Sequence, residues 1–113
     1  MALVPTAQGH EPVREFLDAL DPGARRALVV NMKKIEKEGT RAGRHLEYDR
    51  FELRAAHAGR QYRITFSTEG RKGRVLLALS AFEKKTRTTP APELQLARQR
   101  QIDWRARGRE YRR

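Results

Sequence analysis

The chain has 113 residues, 38% hydrophobic and 35% charged, with a formal net charge of +11: enough for one modest core beneath a strongly basic surface. The absence of cysteine excludes disulfides, thiolate nucleophiles and cysteine-ligated metals, and fits a reducing compartment. No run approaches the roughly 18 apolar residues of a membrane span, and the opening MALVPTAQGHEP lacks a secretory pattern. The expectation is one cytoplasmic domain over residues 1–113, ending in a basic tail from about residue 106.

In chain order, PVREFLDALD places Val13, Phe16, Leu17 and Leu20 on one stripe and predicts a short helix. Asp21-Pro22 then supplies an N-cap and a first-turn proline. The second helix puts Leu28, Met32 and Ile35 on one face and stops at Gly39. The charges of both helices balance, which marks an antiparallel scaffold pair.

The period then changes. In RFELRAAH, Phe51, Leu53 and Ala55 alternate with Arg50, Glu52 and Arg54. QYRITFS alternates Tyr62, Ile64 and Phe66 with Gln61, Arg63 and Thr65, so the two segments predict a hairpin with one buried and one wet face. A tip at Ala58-Gly59 pairs His57 with Arg60, Ala55 with Tyr62, Leu53 with Ile64 and Phe51 with Phe66. Ala-Gly is a poor two-residue turn, which favours a longer loop. RVLLALSAF is apolar on both faces, as a central strand is, and leads into EKKTRTTP. The last segment predicts a helix from about Pro92 with a thin apolar side: Leu94, Ala97 and Trp104.

Charge is unevenly spread. Residues 1–40 hold six Lys/Arg and six Asp/Glu, so the whole excess lies beyond residue 40, where arginine supplies all but three of the basic residues. That asymmetry suits a polyanion, and the arginine fork suits phosphate. The hairpin register sets Arg54 opposite Arg63, and like charges in direct cross-strand contact are destabilising. Two readings are open: Glu52 neutralises a solvated pair, or the arginines hold an anionic ligand, with Lys84 and Lys85 closing the patch. His57 at the hairpin tip and His45 in a loop before the strand are candidates for acid–base work by residue type, yet neither has a carboxylate partner nearby in sequence. No HxxxH or HExxH spacing suggests a metal, and neither GTRAG nor STEGRKG carries a phosphate-loop lysine-serine pair. Trp104 and Tyr111 offer rings for base stacking, although Trp104 at helical spacing reads better as core.

Three motifs in order, ELR at 52–54, YR at 62–63 and FEKKTRTTP at 82–90, resemble the RelE/HigB superfamily of bacterial toxins, in its phage-derived, HigB-like branch. The likeness covers roughly residues 12–105. It implies an α+β fold: two N-terminal helices on a small antiparallel sheet, a short first strand near Ala2 to Val4, and a C-terminal helix. It also implies a metal-independent, cofactor-free endoribonuclease that cuts mRNA in the ribosomal A site and is held inactive by an antitoxin, expected to be a small helix-turn-helix protein with an acidic segment. By position it assigns catalysis to Arg54, Arg63, Lys84 and Lys85, beside the motif residues Thr86, Thr89 and Pro90. Candidates for RNA contact are Arg50, Arg60, Arg71, Lys72, Arg74, Arg87 and Arg98. Ser80-Ala81 stand where the family commonly has glycine, often after histidine, and the C-terminal Tyr or His of several ribosome-dependent relatives has no counterpart. The resemblance therefore names no general base. Other members poison gyrase, and a non-catalytic nucleic-acid-binding module is the remaining alternative.

Overall fold

The computed structural model describes residues 1–85 and 87–111, with the backbone alone for residues 71 and 109–111. The elements run β1 (Ala2–Leu3), α1 (Pro12–Ala19), α2 (Pro22–Glu38), β2 (Arg44–Glu47), β3 (Arg50–His57), β4 (Arg60–Glu69), β5 (Val75–Lys84) and α3 (Ala91–Tyr111). They form an α+β fold on one sheet of order β1-β5-β4-β3-β2, antiparallel except for the β1–β5 pair. β4 is the middle strand. β5, expected at the centre, is interior but flanked on one side only by the two-residue β1.

The helical starts and stops follow local chemistry. The Asp21 carboxylate accepts from the Gly23 and Ala24 amides, Pro22 opens α2, and Gly39 closes it at φ 83°, where a side chain would be strained. Val13 and Leu17 of α1, with Ala24, Leu28, Met32 and Ile35 of α2, bury against Leu53, Ala55, Tyr62, Ile64 and Phe66 of the hairpin. The two helices pack chiefly on the sheet, α1 over β5 and α2 over β3, rather than as a self-contained pair.

The hairpin adopts the expected register at every position, Arg54 opposite Arg63 included. Its turn is tighter than expected. Ala58 and Gly59 both take left-handed conformations, φ 50° and 78°, matching the strand twist at some cost in strain for the alanine.

The wet face does not exist as such. Glu52, Arg63, Thr65, Ser67 and Glu69 are all buried on the side opposite α1 and α2. α3 lies across that side: Ala97 and Trp104 pack on Val4, Leu77 and Leu79, so Trp104 serves the core. Polar contacts do the rest, described below. The helix continues through the segment read as a tail as far as Tyr111; Arg112 and Arg113, and the Tyr111 side chain proposed for stacking, lie outside the described residues.

The loop expected around His45 is instead a strand, β2, which pairs with the start of β3 although RHLE carries no alternating apolar pattern. β5 contains a bulge: Thr65 faces Ser80 while Phe66 faces Ala78, leaving Leu79 as the extra residue. Its freed carbonyl accepts a hydrogen bond from Arg100 Nη1 at 2.9 Å. Among the described residues no helix is long and apolar enough to cross a membrane.

Candidate nucleic-acid interface

Strand alternation places Arg50, Glu52 and Arg54 of β3, Gln61 and Arg63 of β4, and Phe82 and Lys84 of β5 on the α3 side of the sheet. α3 covers only one end of this side. At that end Arg98 grips Glu47 with two hydrogen bonds, Nε to Oε1 at 2.5 Å and Nη2 to Oε2 at 2.7 Å. Gln101, itself buried, donates to Asp49 and Glu69 and accepts from Arg50 at 2.6 Å. Arg105 bonds both Asp49 and Glu69.

These contacts shift the titration of the clamp. The Arg98 hydrogen bond, with the Arg50 charge, holds the Glu47 carboxyl below its ordinary range against the opposing effect of burial. Burial raises Asp49, but hydrogen bonds from Arg105 and Gln101 and the Arg105 charge outweigh it and leave that carboxyl lowered too. The Glu69 hydrogen bond raises Arg105, and burial lowers Arg100.

At the other end the sheet is open. Glu52, fully buried, is the pivot: Arg54 Nε donates to its Oε1 at 3.2 Å and Thr89 Oγ1 donates to its Oε2 at 2.8 Å. Arg63 Nε approaches Oε1 to 3.5 Å. That contact is an ion pair without hydrogen-bond geometry, so the Nε–H has no hydrogen-bond acceptor, while Nη1 donates to the Tyr62 carbonyl. Thr65 Oγ1 and Ser80 Oγ, opposite one another on the same side, are also buried without partners among the described residues.

The reading of a neutralised, solvated arginine pair therefore holds in part. Glu52 neutralises it, yet the pair is not a solvated face, since Arg63 is 7% exposed at its side chain and Arg54 44%. Lys84, opposite Gln61 and one step past the Arg63–Phe82 pair, is half-buried at the same end. Lys85 and Arg87 follow on the exposed loop; Thr86 lies outside the described residues.

The remaining candidates are not brought to this end. Arg50 is held under α3 by Glu47 and Gln101, and Arg98 is committed to Glu47. Arg60 lies on the α1–α2 side of the sheet, 3.8 Å from Glu83. Lys72 and Arg74 sit at the β4–β5 turn, at the far end of β4 from Arg63; the Arg71 side chain is outside the described residues. The histidines also correct the sequence reading. His57 Nε2 lies 3.1 Å from Asp21 Oδ2, a carboxylate partner distant in sequence, and it is on the helix side. His45 stands in β2 with Nε2 2.7 Å from the Tyr48 carbonyl oxygen.

Sequence reasoning missed the carboxylates under α3. Glu47, Asp49 and Glu69, like Glu52 and Glu93, are acids in the basic part of the chain that lack a lysine or arginine four residues on.

Residues 15–101 match the family described as Phage derived protein Gp49-like (DUF891). No curated protein matches the chain. The match takes in α2, the whole hairpin, β5 and the first half of α3, and thus every element that builds the open end of the sheet. The chain belongs to the Gp49-like family, which is part of the RelE/HigB-like toxin group.

Proposed function

We propose that this chain is the toxin of a type II toxin–antitoxin pair, of the HigB-like branch, and that it cleaves mRNA on the ribosome. The observation that carries the reading is the half-open Arg54 guanidinium, fixed by buried Glu52 beside Arg63 and Lys84. Cations held in place, rather than on free side chains, stabilise developing negative charge without reorganising during the reaction.

In this mechanism the substrate 2′-oxygen bonds to the adjacent phosphorus, and the P–O5′ bond breaks. The bonding pair leaves with O5′, which takes up a proton. The 2′-hydroxyl proton passes to the surroundings, leaving a 2′,3′-cyclic phosphate and a 5′-hydroxyl. Arg54 and Lys84 contact the phosphorane oxygens, with Arg63 adding charge from behind and Lys85 tracking the backbone. Guanidinium and ammonium groups keep their protons at neutral pH, so the chain orients the RNA and stabilises charge. The proposed antitoxin carries an acidic segment that covers the same cations and steers association, making its on-rate steeply salt-dependent.

Pulse labelling after induction tests the function: protein synthesis should fall before DNA synthesis, and cut mRNA should carry cyclic phosphate and 5′-hydroxyl ends. Intact translation with early DNA breaks would replace this reading with gyrase poisoning, and neither lesion would leave a binding module.

A further inference from the structure

β3 has a strand partner on its outer edge only at its beginning. The β2 register reaches Arg44–Glu52 and stops, so Leu53 to His57 form a free edge among the described residues. Residues 52, 54 and 56 direct their backbone groups outward here, because the Arg54 carbonyl on this edge accepts from Asn31 Nδ2 at 2.7 Å and alternation carries the pattern along the strand. That hydrogen bond satisfies one group. The Arg54 amide and both backbone groups of Ala56 have no strand to meet, and unpaired edges are templates for another chain.

α2 runs beside this edge and leaves a groove. Two clefts of about 360 and 480 Å³ lie along it and share Asn31 as a common wall. The first is floored by Ile35, Ala42 and Leu53, and the second by Ala27 and Ala56 beside Val30, which is 58% exposed. Arg26, Lys34 and Arg44 stand around the two clefts, and none of the three has an ion-pair partner among the described residues. Glu52 contributes to the lining but its carboxylate is already engaged.

We infer that this groove receives an extended acidic segment of a partner protein, which adds a strand to β3. The free edge offers hydrogen bonds for about five residues, roughly 17 Å of strand at about 3.4 Å per residue. Alternate side chains then point in two directions: one set onto the apolar floor beside Lys34 of α2, the other, on the opposite side of the sheet, towards Arg44. Backbone pairing supplies affinity and the alternate pockets supply selectivity, the usual division in strand addition. The positive rim favours carboxylates. A nucleic-acid strand lacks the alternating amide donors and carbonyl acceptors at strand spacing that the edge matches, so the edge favours peptide. The inference does not depend on RNA cleavage, since it concerns the α2 side of β3 and shares only Arg54 with the cation cluster.

A labelled heptapeptide of alternating valine and glutamate, titrated into the intact chain, is the probe. Binding should slow exchange of the Arg54 and Ala56 amides, and the doubly substituted Lys34→Glu, Arg44→Glu chain should bind about tenfold more weakly. Both side chains are exposed, and circular dichroism should show that chain folded. The fully N-methylated peptide, which keeps every carboxylate but loses the backbone donors, should not bind. The inference is overturned if the heptapeptide fails to bind or the methylated peptide binds equally well. It is also overturned if the two amides gain no protection, or if oligouridine protects them in place of the peptide.

Discussion

Arg63 and Glu52 form an ion pair, 3.5 Å apart, in which neither side chain has substantial access to water. Taking Glu52 away leaves Arg63 buried and uncompensated, which costs about 3–5 kcal/mol, whereas without Arg63 the Glu52 carboxylate keeps Arg54 and Thr89. Glu52→Ala should therefore lower the urea midpoint sharply, and Arg63→Ala should lower it by less. If Arg63→Ala unfolds at the wild-type midpoint, the pair carries no structural weight and the arginine is held for RNA alone.

Arg54 stands on the same carboxylate but reaches solvent, so its loss should separate activity from stability. Arg54→Ala should change stability by no more than about 1 kcal/mol and lower the mRNA cleavage rate by roughly 10²–10³-fold. Lys84→Ala should behave likewise. Undiminished cleavage by both folded variants would remove this cation cluster from the reaction.

Acid should loosen α3 first. Glu47 and Asp49 titrate below their ordinary values of 4.5 and 3.8 when folded. Lowered carboxyl pKa values contribute stability that is fully present above those ordinary values and is lost as pH falls through the folded ones. Melting temperatures measured downward from pH 5 should drop, and Arg105→Ala should flatten that acid limb by removing one cause of the Asp49 shift. An unchanged limb in Arg105→Ala would assign the acid sensitivity elsewhere.

Gly23 offers a prediction whose sign depends on a neighbour. A Cβ there would collide with His57 Cε1 and Nε2, so Gly23→Ala must expel the ring and break its contact with Asp21. In the His57→Ala background that clash is absent, and the same substitution should stabilise by about 0.4–1 kcal/mol through the unfolded chain. A double-mutant cycle by chemical denaturation reads the difference. Purely additive values would mean that the ring does not pack on the start of α2.

Legibility in the sequence tracked the range of the interactions. Phe51, Leu53, Tyr62 and Ile64 alternate within one hairpin, so period and tip fixed the pairing of Arg54 with Arg63. Asp21-Pro22 and Gly39 are local punctuation and marked α2 at both ends. The placement of α3 was not readable in this way. Its apolar stripe is little more than Ala97 and Trp104, and its docking relies on Gln101 and Arg105 meeting Asp49 and Glu69, acids more than thirty residues away. The same distance hid Asp21 from His57. With α3 unplaced, the side bearing Glu52 and Arg63 read as wet, and Arg50 and Arg98 read as free to contact RNA.

The bulge at Leu79 decides which sign of charge the end of β5 presents to the arginines. Paired with β4 without an extra residue, every position from Ser80 onward would take the opposite phase. Phe82 and Lys84 would then turn under α1 and α2, and Glu83 would stand opposite Gln61, next to Arg63. One additional backbone unit, its carbonyl caught by Arg100, thus exchanges an acid for a lysine at the edge of the cluster. Neither side chain has to change for the potential there to reverse.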